Sequence, residues 1–161
     1  MKKLLVSVAL MAGISAAASM AHAQSVAEQN QEASELPTVM SYKSPTCGCC
    51  GKWEEHMRQN GFVVESMKIE DMAGLKADIG VPASSQSCHT AMVGDYFVEG
   101  HVPAEVVKSM LDAAPPVRGV SAPGMPAGSP GMEMPGMPGQ PYPIHVIDLN
   151  GNASVLTTVQ P

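Results

Sequence analysis

The chain has little positive charge. Nine Lys and Arg face fifteen Asp and Glu over 161 residues, a formal net charge of −6. Beyond Lys2-Lys3 there is no basic cluster, so the electrostatic footprint that a polyphosphate backbone demands is missing and nucleic-acid binding is excluded. Long apolar runs are equally scarce: after residue 24 none approaches the ~18 residues of a membrane-spanning helix. No second membrane anchor is expected, and without a Cys at the cleavage point described below a lipid anchor is not expected either. Aromatics are few, with one Trp, three Tyr and two Phe. What the chain has instead is sulfur, as four Cys and thirteen Met. Its length fits one domain.

Residues 1–23 read as a secretory signal peptide. Lys2-Lys3 supply the charged start, Leu4 to Ala18 the apolar stretch, and Ala21-His22-Ala23 a small-x-small cleavage site after Ala23. Loss of two lysines leaves the exported chain more acidic and places it in the bacterial periplasm. That compartment is oxidising, so cysteines that stay unpaired there need a reason to do so. Residues 24–36 are polar and acidic, without apolar periodicity, and read as a flexible leader.

The expected fold class is α/β. Thr38 to Tyr42 has strand composition and is broken by Lys43-Ser44-Pro45-Thr46. From about Cys49 to Gln59 the spacing of Trp53, His56 and Met57 predicts a helix with Glu54, Glu55 and Arg58 on its solvent face, ended by Asn60-Gly61. Phe62 to Ile69 reads as a strand. Asp71 to Ile79 reads as a short helix with Met72, Leu75 and Ile79 on one side, closed by Gly80 and Pro82. Cys88 to Val93 and Tyr96 to Glu99 form a hairpin about Gly94-Asp95, which suits a type II′ turn. Ala104 to Ala113 is the third helix. The order β-α-β-α-β-β-α over residues 37–114, with a reactive turn after the first strand, is by analogy the thioredoxin-like arrangement.

Residues 115–143 carry nine Pro, six Gly and the methionines Met125, Met132, Met134 and Met137. This Met/Pro/Gly-rich composition predicts a long loop rather than helix or central strand. Residues 144–159 form a C-terminal hairpin about Asn150-Gly151 that packs on the same domain.

Cys47-Gly48-Cys49-Cys50 sets three thiols at a helix N-terminus, and Cys88 follows alone. A helix N-terminus stabilises thiolate, so a lowered pKa is expected for at least one of these cysteines. A two-knuckle zinc ribbon is excluded for want of a second Cys pair, while zinc held by all four thiolates is not. Two structural disulfides would require one bridge within four residues, where Cα separation and χ3 are hard to reach. Cys47 and Cys50 alone have the C-x-x-C spacing of a thiol-disulfide oxidoreductase, the alternative function, and would be its catalytic pair. Two further thiols beside such a pair suit a metal cluster better.

The hairpin register supplies a geometric expectation. Opposed residues sum to 189, so Cys88 lies across from His101, and the two share a face directed at the cysteine turn. His101 is therefore a candidate ligand. His89 points the other way, as a hydrogen-bonded strand-edge residue, and His56 and His145 read as structural or solvent-facing. Met40, Met57, Met72, Met92 and Met110 sit at core-facing periodicities. The loop methionines gain little from packing, and thioether is a soft ligand favouring Cu(I); a lid over the thiolates, with Met132 as a ligand, is expected.

Ser44-Pro45-Thr46-Cys47-Gly48-Cys49-Cys50, Ser87-Cys88-His89-Thr90-Ala91, Glu99-Gly100-His101-Val102-Pro103 and the Pro-Gly-Met loop together resemble the CopG-type family of periplasmic copper-resistance proteins, from about residue 38 to 158. The resemblance implies a thioredoxin-like domain, copper bound by Cys47, Cys49, Cys50 and Cys88, and a role in copper handling that includes Cu(I)/Cu(II) interconversion. The expectation is a periplasmic protein binding several Cu(I) ions through bridging thiolates and exchanging copper with other periplasmic copper-handling proteins. Whether it is an enzyme is left open by the residues.

Overall fold

A computed structural model describes residues 36–161. The expected signal peptide, and the expected leader up to residue 35, lie outside them. Strand β1 (Val39–Lys43) leads into helix α1 (Gly48–Gln59) and returns as β2 (Val64–Lys68), parallel to β1. Helix α2 (Met72–Ile79) follows, started by the Asp71 carboxylate accepting the Gly74 N–H at 2.8 Å. After a short 3₁₀ turn, β3 (His89–Val93) and β4 (Tyr96–Glu99) form the expected hairpin, and α3 (Ala104–Ala113) closes the β-α-β-α-β-β-α order.

Three further strands extend this unit: β5 (Val117–Ser121), β6 (Tyr142–Asp148) and β7 (Ala153–Val159). All seven make one sheet in the order β2-β1-β3-β4-β5-β6-β7. The presence of β5 corrects the expectation of an unbroken loop over 115–143. Val117 to Ser121 contains no proline, and the prolines on either side masked a five-residue run able to pair with β4. The loop proper is 122–141. The terminal hairpin joins the sheet edge through β6, and its turn is wider than two residues: Asp148 Oδ1 accepts the Asn150 and Asn152 N–H groups, each at 2.8 Å.

Helices α1 and α3 cover one face, where Trp53, Met57, Val98, Val107 and Met110 are buried together. A smaller cluster of Val81, Phe97 and Ile147 lies apart from it, with Ile79 and Met92 packed against it. Each fully buried side chain of the Val, Phe or Met type is worth about 1.5–3 kcal/mol, so the larger cluster fixes α1, and with it the cysteine turn, on the sheet.

The surface expectation for Glu54 fails. Glu54 is buried rather than solvated: it accepts from Ser41 Oγ, Ser66 Oγ and Lys43 Nζ, each at 2.8 Å. On α2 the buried residue is Lys76, while Met72, Leu75 and Ile79 are half-buried. Periodicity places Glu54 outside, yet a buried charge is stable when it meets an opposite charge and hydrogen bonds.

Candidate metal centre

The Cys47 N–H bonds the Ser44 carbonyl at 3.2 Å, turning the chain out of β1. Cys47 then stands as the N-cap of α1 in extended conformation, with no side-chain cap and no acidic residue in the first turn. The uncapped helix end leaves partial positive charge beside the sulfurs.

Cys88 arrives from the sheet. The hairpin pairs Thr90 with Glu99 and Ala91 with Val98, the anticipated register. Of its two turn residues Gly94 alone has positive φ, +58°, as a type II′ turn requires. Carried outward, that register sets Cys88 across from His101, whose Nε2 lies 3.1 Å from Cys88 Sγ.

All four sulfurs lie within 4.8 Å of one another. Cys49 is 3.6 Å from Cys47 and 3.9 Å from Cys88, and Cys50 is 3.7 Å from Cys88. Cys47 and Cys50 are joined as a disulfide with Cα atoms 5.6 Å apart, and Cys49 and Cys88 are free thiols. The objection to a bridge within four residues therefore does not hold for this pair. The first helical turn brings its Cα atoms into the ordinary disulfide range.

The thiol that comes from the sheet is set apart by its surroundings. Burial, followed by the neighbouring Cys49, pushes the Cys88 thiol up to about 12. Cys88 sits at a strand entrance and not on the helix terminus. A soft cation that binds it must displace its proton.

His101 is fully buried. Its Nδ1 lies 2.8 Å from the Pro130 carbonyl, an acceptor, so Nδ1 carries the hydrogen and Nε2 turns a lone pair toward Cys88. A ligating histidine ordinarily has this arrangement. Burial lowers the His101 pKa and outweighs Pro130 and Glu133, which raise it. His89 departs from expectation. It lies on an interior strand, fully buried, with its ring centroid 4.4 Å from Trp53 and 5.0 Å from His101. Its Nδ1 is 3.4 Å from Cys88 Sγ, and its Nε2 meets no partner among the described residues. His56 is structural, its Nε2 accepting the Ala104 N–H at 3.1 Å and tying α1 to α3.

The 122–141 loop covers this end through Ser129, Pro130 and Gly131, all buried. Gly131 has φ of +85°, and a Cβ there would come within 2.8 Å of the Trp53 nitrogen. Beside it a cavity of about 390 Å³ is lined by Cys49, Lys52, Met132, Glu133 and Met134. The half-buried Met132 thus lines one cavity with Cys49, whereas Met125 and Met137 stand 57% and 61% exposed. Sequence reasoning missed the Pro130 carbonyl, a backbone group without a side-chain signal. It also missed the burial of Glu99 and Lys76, whose one signal was a charge closing an apolar strand and another on a mostly apolar helix.

Two solved structures are similar to this arrangement, titled "Copper resistance protein copG- Form 1" and "Form 2". The first is 38% identical with a TM-score of 0.73, covering 79% of this chain and 100% of its own. The second is also 38% identical with a TM-score of 0.73, covering 78% and 99%. The chain belongs to the CopG family. A family model described as a protein of unknown function, DUF411, matches residues 85–132. Within this CopG-family chain that match spans Cys88, His101 and Met132 but not the Cys47–Cys50 turn. Among curated proteins nothing matches.

Proposed function

We propose that the chain is a periplasmic copper-handling protein, exported by removal of residues 1–23. It binds several Cu(I) ions through bridging thiolates of Cys47, Cys49, Cys50 and Cys88, with His101 and Met132 completing the coordination. The observation that carries this reading is the convergence of four sulfurs within 4.8 Å, one of which, Cys88 Sγ, faces the free lone pair of the His101 imidazole. Thiolate and thioether donors favour Cu(I), and the similar solved structures are named as copper-resistance proteins. Among the described residues no helix is long and apolar enough to cross a membrane.

The Cys47–Cys50 disulfide supports a redox role in the same site. Its reduction to two thiols takes up two electrons and two protons, which balances the oxidation of two Cu(I) to two Cu(II). Opening the bridge also adds two sulfurs to the donors Cys49, Cys88 and His101. Copper passes to and from other periplasmic copper-handling proteins.

The disulfide also favours a second reading, a thiol-disulfide oxidoreductase working through Cys47 and Cys50 alone. Copper content and free thiols of protein isolated from the periplasm of copper-grown cells separate the two. The copper reading expects one or more equivalents in wild type and a fall in Cys88→Ser. No copper in either protein, with a reversible Cys47–Cys50 disulfide in both, would establish the oxidoreductase instead.

A further inference from the structure

Lys76 is the buried residue of α2, and it reaches Glu99 at the end of β4. Packing alone does not ask for this. A buried ion pair is commonly no more stabilising than apolar residues of the same volume, and α2 would dock on the sheet as well through a leucine. The contacts indicate another use. Lys76 Nζ donates to the Glu99 carboxylate and, at 2.8 Å, to Thr90 Oγ1, which in turn donates to Glu99 Oε2 at 2.6 Å. Glu99 Oε1 also accepts the Ser87 N–H at 2.6 Å, and Ser87 directly precedes Cys88. On the other side of Glu99 comes Gly100, whose N–H bonds the His89 carbonyl at 3.0 Å. Gly100 has φ of +73°, and a Cβ there would run into the Ser87 side chain. One carboxylate therefore grips the segment carrying Cys88 and is continuous with the segment carrying His101.

We propose that Glu99, held in place by Lys76, is a positioning residue of the metal site: it fixes Cys88 Sγ opposite His101 through the Ser87 amide. The ligand roles of Cys88 and His101 in this inference rest on the copper reading above. Glu99 touches neither sulfur nor imidazole in the hydrogen-bond network and acts through Ser87. Because the grip lies on the sheet side, it holds Cys88 whether Cys47 and Cys50 are joined or open.

Two double variants test the grip without leaving a buried charge. Lys76→Met/Glu99→Gln keeps an acceptor oxygen for the Ser87 N–H, and Lys76→Met/Glu99→Leu removes it. In metal-free protein carrying Cys49→Ser and an oxidised Cys47–Cys50 pair, Cys88 is the one free thiol, and its alkylation rate by iodoacetamide reports its placement. The Leu form is expected to react about tenfold faster than the parent, and in the four-cysteine reduced background to bind Cu(I) about tenfold more weakly, the scale of outer-shell changes. The Gln form stays within about twofold on both readouts, which loss of the ion pair as a merely structural element would not produce. Equal behaviour of the Gln and Leu forms overturns the proposal.

If the Leu form does not fold, Ser87→Pro against Ser87→Ala decides, since Pro removes the N–H and Ala only the hydroxyl. Gln86 is already extended, as a residue before proline must be. Faster alkylation of the Pro form alone supports the grip, and equal rates overturn it. Failure of the copper reading is seen separately, as wild-type protein that takes up no Cu(I), and the alkylation comparison is unaffected by it.

Discussion

The cysteine end of the sheet and its hairpin edge obey different rules. At the first, Glu54, Lys76, His89, Glu99 and His101 are all buried, each with at most 4% of its surface exposed. At the second, β7 carries no charged residue, and Val155 and Leu156 stand 62% and 50% exposed. Burying ionisable groups lowers stability unless each is paired. Their concentration at one end therefore marks where the fold serves chemistry, while the hairpin edge serves to carry the chain on. The two regions meet through the 122–141 loop, which leaves β5, delivers the Pro130 carbonyl to His101 and returns to β6.

The contrast breaks most completely at Cys88. Cys88→Ser is expected to weaken Cu(I) binding by more than the ~10–100-fold of outer-shell changes, measured by competition with a chromophoric chelator. Because bound copper displaces a proton from a thiol held near 12, wild-type affinity should also rise with pH across the neutral range. Lys76→Ala leaves Glu99 buried without its cation and should cost about 3–5 kcal/mol in urea unfolding. Gly131→Ala forces a Cβ onto the Trp53 amide at positive φ; a loss of about 1–3 kcal/mol is expected, with weaker Cu(I) binding as the loop lifts from His101.

Glu54 gives a pH test of the buried end. Burial raises its carboxyl pKa, but the hydrogen bonds from Lys43, Ser41 and Ser66 with the Lys43 charge outweigh burial and leave it lowered. A depressed folded value means that the stabilisation is present above the ordinary carboxylate range and is lost as pH falls through the folded value. Urea unfolding between neutral and acidic pH should show that loss in wild type and a flatter profile in Glu54→Gln. At the other extreme Leu156→Ser on β7 should change stability by no more than about 0.5 kcal/mol and leave copper uptake unchanged. A larger effect on copper would mean that the hairpin edge is part of the site.

Much of this arrangement was legible in the residues. Period and turn chemistry give the three helices and the β3–β4 hairpin, and the sum rule for its register places Cys88 against His101. What stayed hidden has one physical origin. Pattern reading assigns polar residues to solvent and so puts Glu54 outside and His89 on a strand edge, where pairing and packing in fact bury them. Strand β5 was lost because composition averaged over 29 residues outweighed the five that pair. The Pro130 carbonyl has no side-chain signature at all, and its role emerges only when the loop is seen lying on α1.

The most direct test is Cu(I) titrated anaerobically into fully reduced protein, followed by alkylation of the thiols and mass analysis. One or more copper ions per chain, with Cys47, Cys49, Cys50 and Cys88 all protected together, is the predicted result. Copper uptake that leaves these four cysteines as reactive as in metal-free protein, or no uptake at all, would contradict it.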